Sequence, residues 1–274
     1  MSHTIAIDHP CSPERITGLH WWTKELLSFK STRPLALNYH SGQYARIAFQ
    51  IGSQLIWRPF SFVSTPSDEQ LEFLGVLVPG GFFSDRLKQT EIGDPLWVEH
   101  ENYGFMTPDR FEDGKHLWLL ATGTGIGPFI SILRDEAVWT QFQRIILVHG
   151  TRSPDQLTYK DELLDMQSKR PGLAKRALMT LIGCVTTNDR QPRAGFGDEE
   201  DALGVRLLPC RMNSAWDEGI LEMAAGATVN ATDSRVMLCG NPAMIEDMRA
   251  RLHQRGLVPC RRQKPGQFLT ENYW

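Results

Sequence analysis

An apolar run that ends abruptly in glycines constrains this chain more than any other stretch. Residues 117–121 are Leu-Trp-Leu-Leu-Ala, and Thr-Gly-Thr-Gly-Ile-Gly-Pro follows at 122–128. A short apolar segment closed by a glycine turn is typical of a buried parallel strand. Pro128 suits the first turn of a helix, whose N-terminal N–H groups favour a phosphate. The stretch therefore predicts a strand, a turn and a helix that bind a diphosphate; a turn without a ligand is the alternative.

Composition and charge are those of an ordinary globular protein. Hydrophobic residues make up 41% of the 274 positions and charged residues 22%, which is not a disordered or membrane-protein profile. No apolar run is as long as a membrane span, and the first residues lack a signal-peptide pattern. The net charge of −3 gives no global reason to bind nucleic acid. We expect a cytoplasmic protein with no membrane or nucleic-acid partner.

The cysteines are too scattered to form a metal centre. Cys11, Cys184, Cys210, Cys239 and Cys260 include no Cys-x-x-Cys pair, so neither a zinc site nor an iron–sulfur cluster is indicated. Their odd number and wide spacing suit a reducing compartment. We expect no bound metal, and any one-electron carrier must then be a separate protein.

Two different patterns of predicted secondary structure along the chain indicate two domains. Short β-like runs separated by glycine and proline turns fill 14–110, after an irregular arm at 1–13, and favour an antiparallel barrel or sandwich. Strands alternate with helices in 115–274, which predicts a mostly parallel α/β sheet and places the boundary near 109–114. Residues 186–203 are polar and unpatterned, so they predict a long surface loop.

A second glycine-ended strand leads into a helix. Arg235 is followed by the apolar residues 236–239 and by Gly240, and Asn241 and Pro242 come next. Asparagine is a favourable N-cap and proline a favourable first helical residue, while Gly256 marks the predicted end.

One strand-like run combines the side chains that a flavin pocket needs. Arg58, Phe60 and Ser61 supply a cation, an aromatic ring and a hydroxyl. Arginine pairs with a diphosphate through two hydrogen bonds, and an aromatic face can stack on a flavin ring. The alternative is an ordinary strand in which these are surface, core and surface residues.

Several motifs in the same order carry a family resemblance. They are Ser41-Gly42-Gln43-Tyr44, Arg58-Pro59-Phe60-Ser61, Leu71–Val76, Gly80–Ser84, Ala121–Pro128, Val236–Met244 and Glu271–Trp274. From Arg15 to the C-terminus the chain resembles the ferredoxin/flavodoxin–NADP(+) reductase family, specifically the bacterial group that ends in an aromatic residue. The resemblance implies a Greek-key β-barrel that binds FAD, followed by an α/β domain that binds NADP(H).

The resemblance also implies roles for individual residues. Phe60 would stack on the flavin in place of the usual tyrosine, Ser61, Cys239 and Glu271 would be catalytic, and Trp274 would stack on the adenine of FAD. The implied residues at FAD and its surroundings are Arg58, Phe60, Ser61, Phe73, Leu74, Gly75, Val76, Gly81, Phe82, Phe83, Ser84, Thr124 and Trp274. The implied NADP residues are Thr122, Gly123, Thr124, Gly125, Arg152, Arg190, Arg211, Cys239 and Gly240.

One departure from the family pattern affects the choice between NADP and NAD. The family has a second arginine where this chain continues Val-Thr-Thr-Asn-Asp at 185–189. Arg190 or Arg193 is the expected substitute, and Arg211 matches a further family arginine.

The implied reaction moves hydride from NADPH to FAD and then single electrons to a separate, acidic ferredoxin or flavodoxin. A basic run could steer such an acceptor, or could be only a solvated surface; it contains Arg251, Arg255, Arg261, Arg262 and Lys264. The alternatives are the reductase component of an oxygenase, a free flavin reductase, and a noncatalytic flavin or nucleotide sensor that uses residues 186–203 as a contact surface.

Overall fold

The chain divides into two compact units. A computed structural model describes residues 10–168, 177–186, 205–262 and 264–272. The first unit comprises the chain up to Thr107 together with Gly127–Arg134, and the second comprises Pro108–Ile126 and the chain from Asp135 onward. Helix 127–134 therefore groups with the first unit, although its neighbours in sequence belong to the second. The boundaries 14–110 and 115–274 assigned from sequence stay predictions.

The first unit is built on an antiparallel sheet. Within the described residues its strands are β1 (Cys11–Trp21), β2 (Leu26–Ser31), β3 (Tyr44–Ile51), β4 (Gln54–Ser61), β5 (Leu71–Val76) and β6 (Pro95–Glu99). Their order in the sheet is β4-β3-β6-β1-β2-β5, so strands distant in sequence are neighbours. A bridge between Phe62 and Phe73 joins the two outer strands and bends the sheet toward a barrel. Fully buried aromatic and aliphatic side chains fill its interior, including Phe29, Ile47 and Phe49.

The predicted N-terminal arm is shorter than 1–13. Residues 1–9 lie outside the described part of the chain, but β1 already begins at Cys11 and pairs with β6. Pro13 is tolerated there because β1 starts to pair with β2 only at Ile16, so one edge of the strand needs no N–H donor at this point. The arm prediction was wrong for residues 11–13.

Two helices complete the first unit. They are α1 (Phe82–Lys88) and α2 (Gly127–Arg134), and α2 follows the glycine turn. Polar contacts hold α2 on the barrel: the Ser131 hydroxyl donates to the Ser64 carbonyl at 2.7 Å, and Arg134 pairs with the buried Glu72 carboxylate at 2.8 Å. These bonds explain why α2 groups with the first unit.

The second unit contains a parallel sheet. Its described strands are β7 (His116–Thr122), β8 (Arg144–Thr151), β9 (Leu178–Val185), β10 (Arg206–Leu208), β11 (Ser234–Gly240) and β12 (Phe268–Asn272). The order is β10-β9-β8-β7-β11-β12 and every pair is parallel. All their carboxyl ends therefore meet at one edge, where ligands bind in open α/β sheets. The predicted combination of an antiparallel barrel and a parallel α/β sheet is confirmed.

Helices cover this sheet. They are α3 (Val138–Gln141), α4 (Lys160–Ser168), α5 (Met212–Asp217), α6 (Ile220–Ala225) and α7 (Pro242–Gln254). The side chain of Asn241 accepts hydrogen bonds from the N–H groups of Ala243 and Met244, and Gly256 has a left-handed backbone just past the end of α7. The predicted start and end of this helix are confirmed. Among the described residues, no helix is both long enough and apolar enough to cross a membrane.

Candidate active site

The glycine turn after β7 presents open backbone. It is a short 3-10 helix, Gly123–Ile126, and Thr124 within it is buried. Gly123 has a left-handed backbone with φ of 54°, and a Cβ there would meet no atom within 4 Å. Glycine is favoured because a side chain would be strained in this conformation. The exposed backbone leaves room for a phosphate to approach, as the sequence pattern predicts.

The other glycines are needed because two strand ends touch. A Cβ on Gly125 would lie 2.6 Å from the carbonyl carbon of Cys239, and a Cβ on Gly240 would lie 2.6 Å from the carbonyl oxygen of Thr122. The N–H of Asn241 donates to the Thr122 hydroxyl at 2.8 Å. The glycine turn and the end of β11 therefore form one continuous backbone surface.

Two of the predicted catalytic residues lie side by side at that surface. Cys239, on β11, is fully buried, and Glu271, on β12, is its partner in the strand register. Burial, and secondarily the nearby Glu271 carboxylate, raise the pKa of the Cys239 thiol well above its ordinary value. Cys239 is therefore a neutral thiol at physiological pH, which suits a small packing surface and not a nucleophile.

The arginines that could recognise an adenosine phosphate lie at the same carboxyl edge. Arg152 is exposed and directly follows β8, and the exposed Arg211 is the N-cap of α5. The next residue, Met212, brings its Cε within 3.7 Å of the Cβ position of Gly150 near the end of β8. The start of α5 therefore lies over the end of β8, which places both cations on neighbouring elements.

Other predicted residues lie outside the described part of the chain. These are Arg190, Arg193 and Trp274, together with residues 187–203 of the predicted loop. Their roles stay predictions.

His149 is a residue of this site that the sequence patterns did not single out. It is 2% exposed near the carboxyl end of β8, and its Nε2 lies 2.9 Å from the carbonyl oxygen of Gly123. Burial lowers the pKa of His149 to about 4, so the imidazole is neutral at physiological pH. The only sequence signal was a polar residue that follows the apolar run 145–148.

In the first unit, the predicted flavin residues of β4 and β5 lie along the gap between these two outer strands, which we call the seam. In the described chain, no ladder joins these strands beyond the bridge between Phe62 and Phe73. Phe60 faces Gly75 across the seam, where a Cβ on the glycine would lie 3.3 Å from the phenylalanine ring. Within the described residues, the backbone of Leu74–Val76 pairs with β2 on one side and has no neighbouring strand on the side of the seam.

The aromatic residues at this seam have different environments. Phe60 is half-buried, with its ring centroid 5.4 Å from that of Phe83 and 5.6 Å from that of Phe29. Phe73 and Phe83 are buried in the barrel core, so their side chains serve packing and only their backbone is placed for a ligand. Phe82 is 72% exposed. Phe60 therefore combines a fixed position with an accessible surface.

Polar groups flank the aromatic rings of the seam. Ser61 is buried at the end of β4, while Arg58 is exposed and directs its guanidinium to the carbonyl of Trp57 at 2.7 Å. The Ser84 hydroxyl accepts a hydrogen bond from the N–H of Val78 at 2.8 Å and thereby closes the turn at Gly80 and Gly81. Ser84 thus has a structural role, and it keeps a proton to donate.

The basic run near the C-terminus is partly neutralised. Arg251 donates to both carboxylate oxygens of Asp217, and Arg255 pairs with Glu222 while its guanidinium lies 4.4 Å from the centre of the Trp216 ring. Acidic side chains thus pair with two of the five cations, and a role of the basic run in steering an acceptor stays a prediction.

Family models match both units. The model described as an FAD-binding domain matches residues 14–87, and the model described as an oxidoreductase NAD-binding domain matches residues 119–250.

Similar proteins of known name align along nearly the whole chain. The ferredoxin–NADP reductase of Pseudomonas aeruginosa is 32% identical over 259 residues, covering 94% of this chain and 95% of that protein. The flavodoxin/ferredoxin–NADP reductase of Escherichia coli is 31% identical over 261 residues, covering 95% and 97%. The crystal structure of a ferredoxin NADP+ reductase from Neisseria gonorrhoeae, with bound FAD and NADP, superposes with a TM-score of 0.84 at 28% identity, covering 97% and 99%.

The barrel seam and the glycine-lined carboxyl edge together define a flavin- and nicotinamide-nucleotide-dependent oxidoreductase. The relatives identify one family within this class of oxidoreductases, since they align with the chain over nearly their full length. The chain belongs to the ferredoxin/flavodoxin–NADP reductase family.

Proposed function

We propose that this chain is an FAD-dependent reductase that takes hydride from NADPH and passes electrons singly to a ferredoxin or flavodoxin. The observation that carries the proposal is the contact between the glycine turn and the end of β11, which puts the Gly125 backbone against Cys239, the register partner of Glu271. The residues fit a dinucleotide, because a side chain at Gly125 or Gly240 would disrupt the surface and Gly123 leaves it open.

At the nicotinamide end, the chain supplies shape and exclusion of water. The neutral Cys239 thiol offers a small polarizable side chain against which a ring can lie. Glu271, half-buried beside it, can hold or release a proton at its carboxylate. The fixed backbone contact between Gly125 and Cys239 resists displacement of these groups.

At the flavin end, the chain supplies an aromatic face, a donor and a cation. Phe60 stacks on the ring from the seam, Ser61 donates from its hydroxyl, and Arg58 neutralises the diphosphate. When bound, FAD supplies the chemistry by accepting a hydride and returning its electrons one at a time.

The purified protein should be yellow and should oxidise NADPH in the presence of ferricyanide. Colourless protein that stays inactive after addition of FAD would exclude a flavoenzyme. Reduction of free flavin but of neither ferredoxin nor flavodoxin would favour a flavin reductase instead.

Preference for NADPH is assigned to Arg152 and Arg211 at the carboxyl edge. Hydrogen bonds from arginine to a phosphate contribute about 1.5–3 kcal/mol. Arg152→Ala should therefore raise the KM for NADPH by about 10- to 100-fold while leaving the KM for NADH unchanged. Arg249→Ala, which removes an exposed arginine on α7, is the matched control and should change neither. Equal effects of Arg152→Ala on both nucleotides would contradict this assignment.

We infer that the electron acceptor is an acidic protein that exposed cations near the C-terminus attract. We also infer a cytoplasmic location, which the five free cysteines support. Arg261, Arg262 and Lys264 are exposed and are the members of the basic run best placed to attract such an acceptor. Neutralising the three together should slow flavodoxin reduction and weaken its dependence on ionic strength, with ferricyanide reduction as the control. An unchanged salt dependence would remove this surface from the proposal.

A further inference from the structure

His149 forms a hydrogen bond that links the centre of the sheet to the glycine turn. Its Nε2 lies 2.9 Å from the Gly123 carbonyl oxygen, and because that oxygen can only accept, Nε2 carries the proton. Since β7 and β8 pair in register at Ala121 and His149, the imidazole reaches the first residue of the turn directly.

The Gly123 peptide needs such a restraint. Glycine adopts left- and right-handed conformations with similar ease, and Gly123, with φ of 54°, has no neighbouring atom within 4 Å of its Cβ position. Among the described residues, nothing therefore packs against that face of Gly123 to fix the peptide unit that joins it to Thr124. The hydrogen bond from His149 supplies that orientation from a rigid strand.

The direction of one carbonyl determines the direction of the next N–H. In a trans peptide the C=O and the following N–H point in opposite directions in one plane. The Gly123 carbonyl points inward to His149, so the N–H of Thr124 points away from it. If the peptide turned over, a carbonyl oxygen would replace the N–H and would repel a phosphate.

We propose that His149 is a positioning residue that holds the Gly123–Thr124 peptide so that the Thr124 N–H donates to the diphosphate of NADP(H). This inference rests on the proposed use of NADP(H). The buried, neutral imidazole keeps its Nε2 donor over the physiological pH range, so the restraint does not switch off when the pH changes.

Substitutions at His149 test the restraint in the FAD-loaded enzyme. His149→Leu should raise the dissociation constant of NADP+ about 10-fold, or about 1.4 kcal/mol, with kcat within about two-fold of wild type. Binding of 2′-AMP, which has the adenosine 2′-phosphate but no diphosphate, should not change. His149→Gln, whose amide can donate at a similar reach, should restore most of the NADP+ affinity. His116→Leu removes a histidine from the opposite end of the paired strand β7 and is the matched control.

Isothermal titration calorimetry of these variants with NADP+ and with 2′-AMP distinguishes loss of the restraint from general damage to the second unit. Unchanged NADP+ binding in His149→Leu, or equal losses of NADP+ and 2′-AMP, would overturn the inference, because the second result indicates general damage to the unit. Failure of His149→Gln to recover affinity would also overturn it.

A measurement on the wild-type holoenzyme does not depend on the variants folding. The Thr124 amide proton should shift strongly on addition of NADP+ in a proton–nitrogen NMR spectrum and only weakly on addition of 2′-AMP. If NADP+ binds but this amide does not respond, the inference is wrong and the proposed function stands. If wild-type enzyme does not bind NADP+ at all, both fail.

Discussion

Replacement of Gly125 by alanine is the sharpest test of the contact between the two strand ends. The added Cβ would lie 2.6 Å from the carbonyl carbon of Cys239 and 2.8 Å from Cα of Gly240. Carbon atoms prefer a separation of about 3.5–4.0 Å, so the turn must move by about 1 Å. Both obstructing atoms belong to backbone, which cannot rotate away. Overpacking of this kind costs about 1–3 kcal/mol of stability.

The kinetic effect should be larger than the loss of stability. A misplacement of about 1 Å can cost about 100-fold in rate, so the rate constant for flavin reduction by NADPH should fall by about that factor while FAD stays bound. Anaerobic stopped-flow absorbance of the flavin measures this step directly.

Gly18→Ala is the matched control for this substitution. Its Cβ would lie 3.7 Å from Cβ of Lys30, an ordinary contact, so flavin reduction should proceed at the wild-type rate. Wild-type kinetics in Gly125→Ala would refute the close backbone contact on which the site depends.

Three further perturbations address capping, charge and protonation. Asn241→Ala removes the cap of α7 and should lower the free energy of unfolding by about 1 kcal/mol; an unchanged denaturation midpoint would contradict this. Arg255→Met removes the contacts to Glu222 and Trp216, and should destabilise by about 1–2 kcal/mol without altering the salt dependence of flavodoxin reduction. Burial lowers the pKa of His149 in the folded protein to about 4, below its ordinary value of 6.5. Protonation of His149 therefore favours the unfolded state, so the residue costs no stability above pH 6.5 and costs progressively more as the pH falls toward 4. Between pH 7 and pH 4, His149→Gln should therefore lose about 3 kcal/mol less stability than wild type. Thermal denaturation of both proteins at the two pH values measures this difference.

Sequence patterns predicted the strands and helices that are determined by residues next to one another in the chain. Strand β2 (Leu26–Ser31) lies among the β-like runs of 14–110 and is buried at every position except Lys30, so a short, mostly apolar run was enough to predict it. Strand β10 spans only Arg206–Leu208 and exists because it pairs with β9. Three residues are too few to show any period, so sequence reasoning gave no signal for it.

The candidate site also contains residues that the sequence could predict and residues that it could not. The glycines and Cys239 could be predicted because they occur in contiguous motifs with a recognisable order. His149 could not, since its partner Gly123 is 26 residues away in sequence and the two meet only through the pairing of β7 with β8. The ion pairs of Arg251 and Arg255 could not be predicted either, because their acidic partners Asp217 and Glu222 are contributed by α5 and α6.

The arrangement of the site separates nucleotide choice from the speed of hydride transfer. Gly125 and Gly240 fix the end of β11 through close backbone contacts, and in the proposed function these contacts set how the reacting ring of either nucleotide is held. Arg152 directly follows β8 and Arg211 caps α5; in the proposed function they contact only the group on the adenosine. Substitution of Arg152 should consequently change KM with little effect on kcat, whereas substitution of Gly125 should lower kcat for NADPH and NADH alike. A variant of Arg152 that lowered kcat for both nucleotides would show that the two functions are coupled through the sheet.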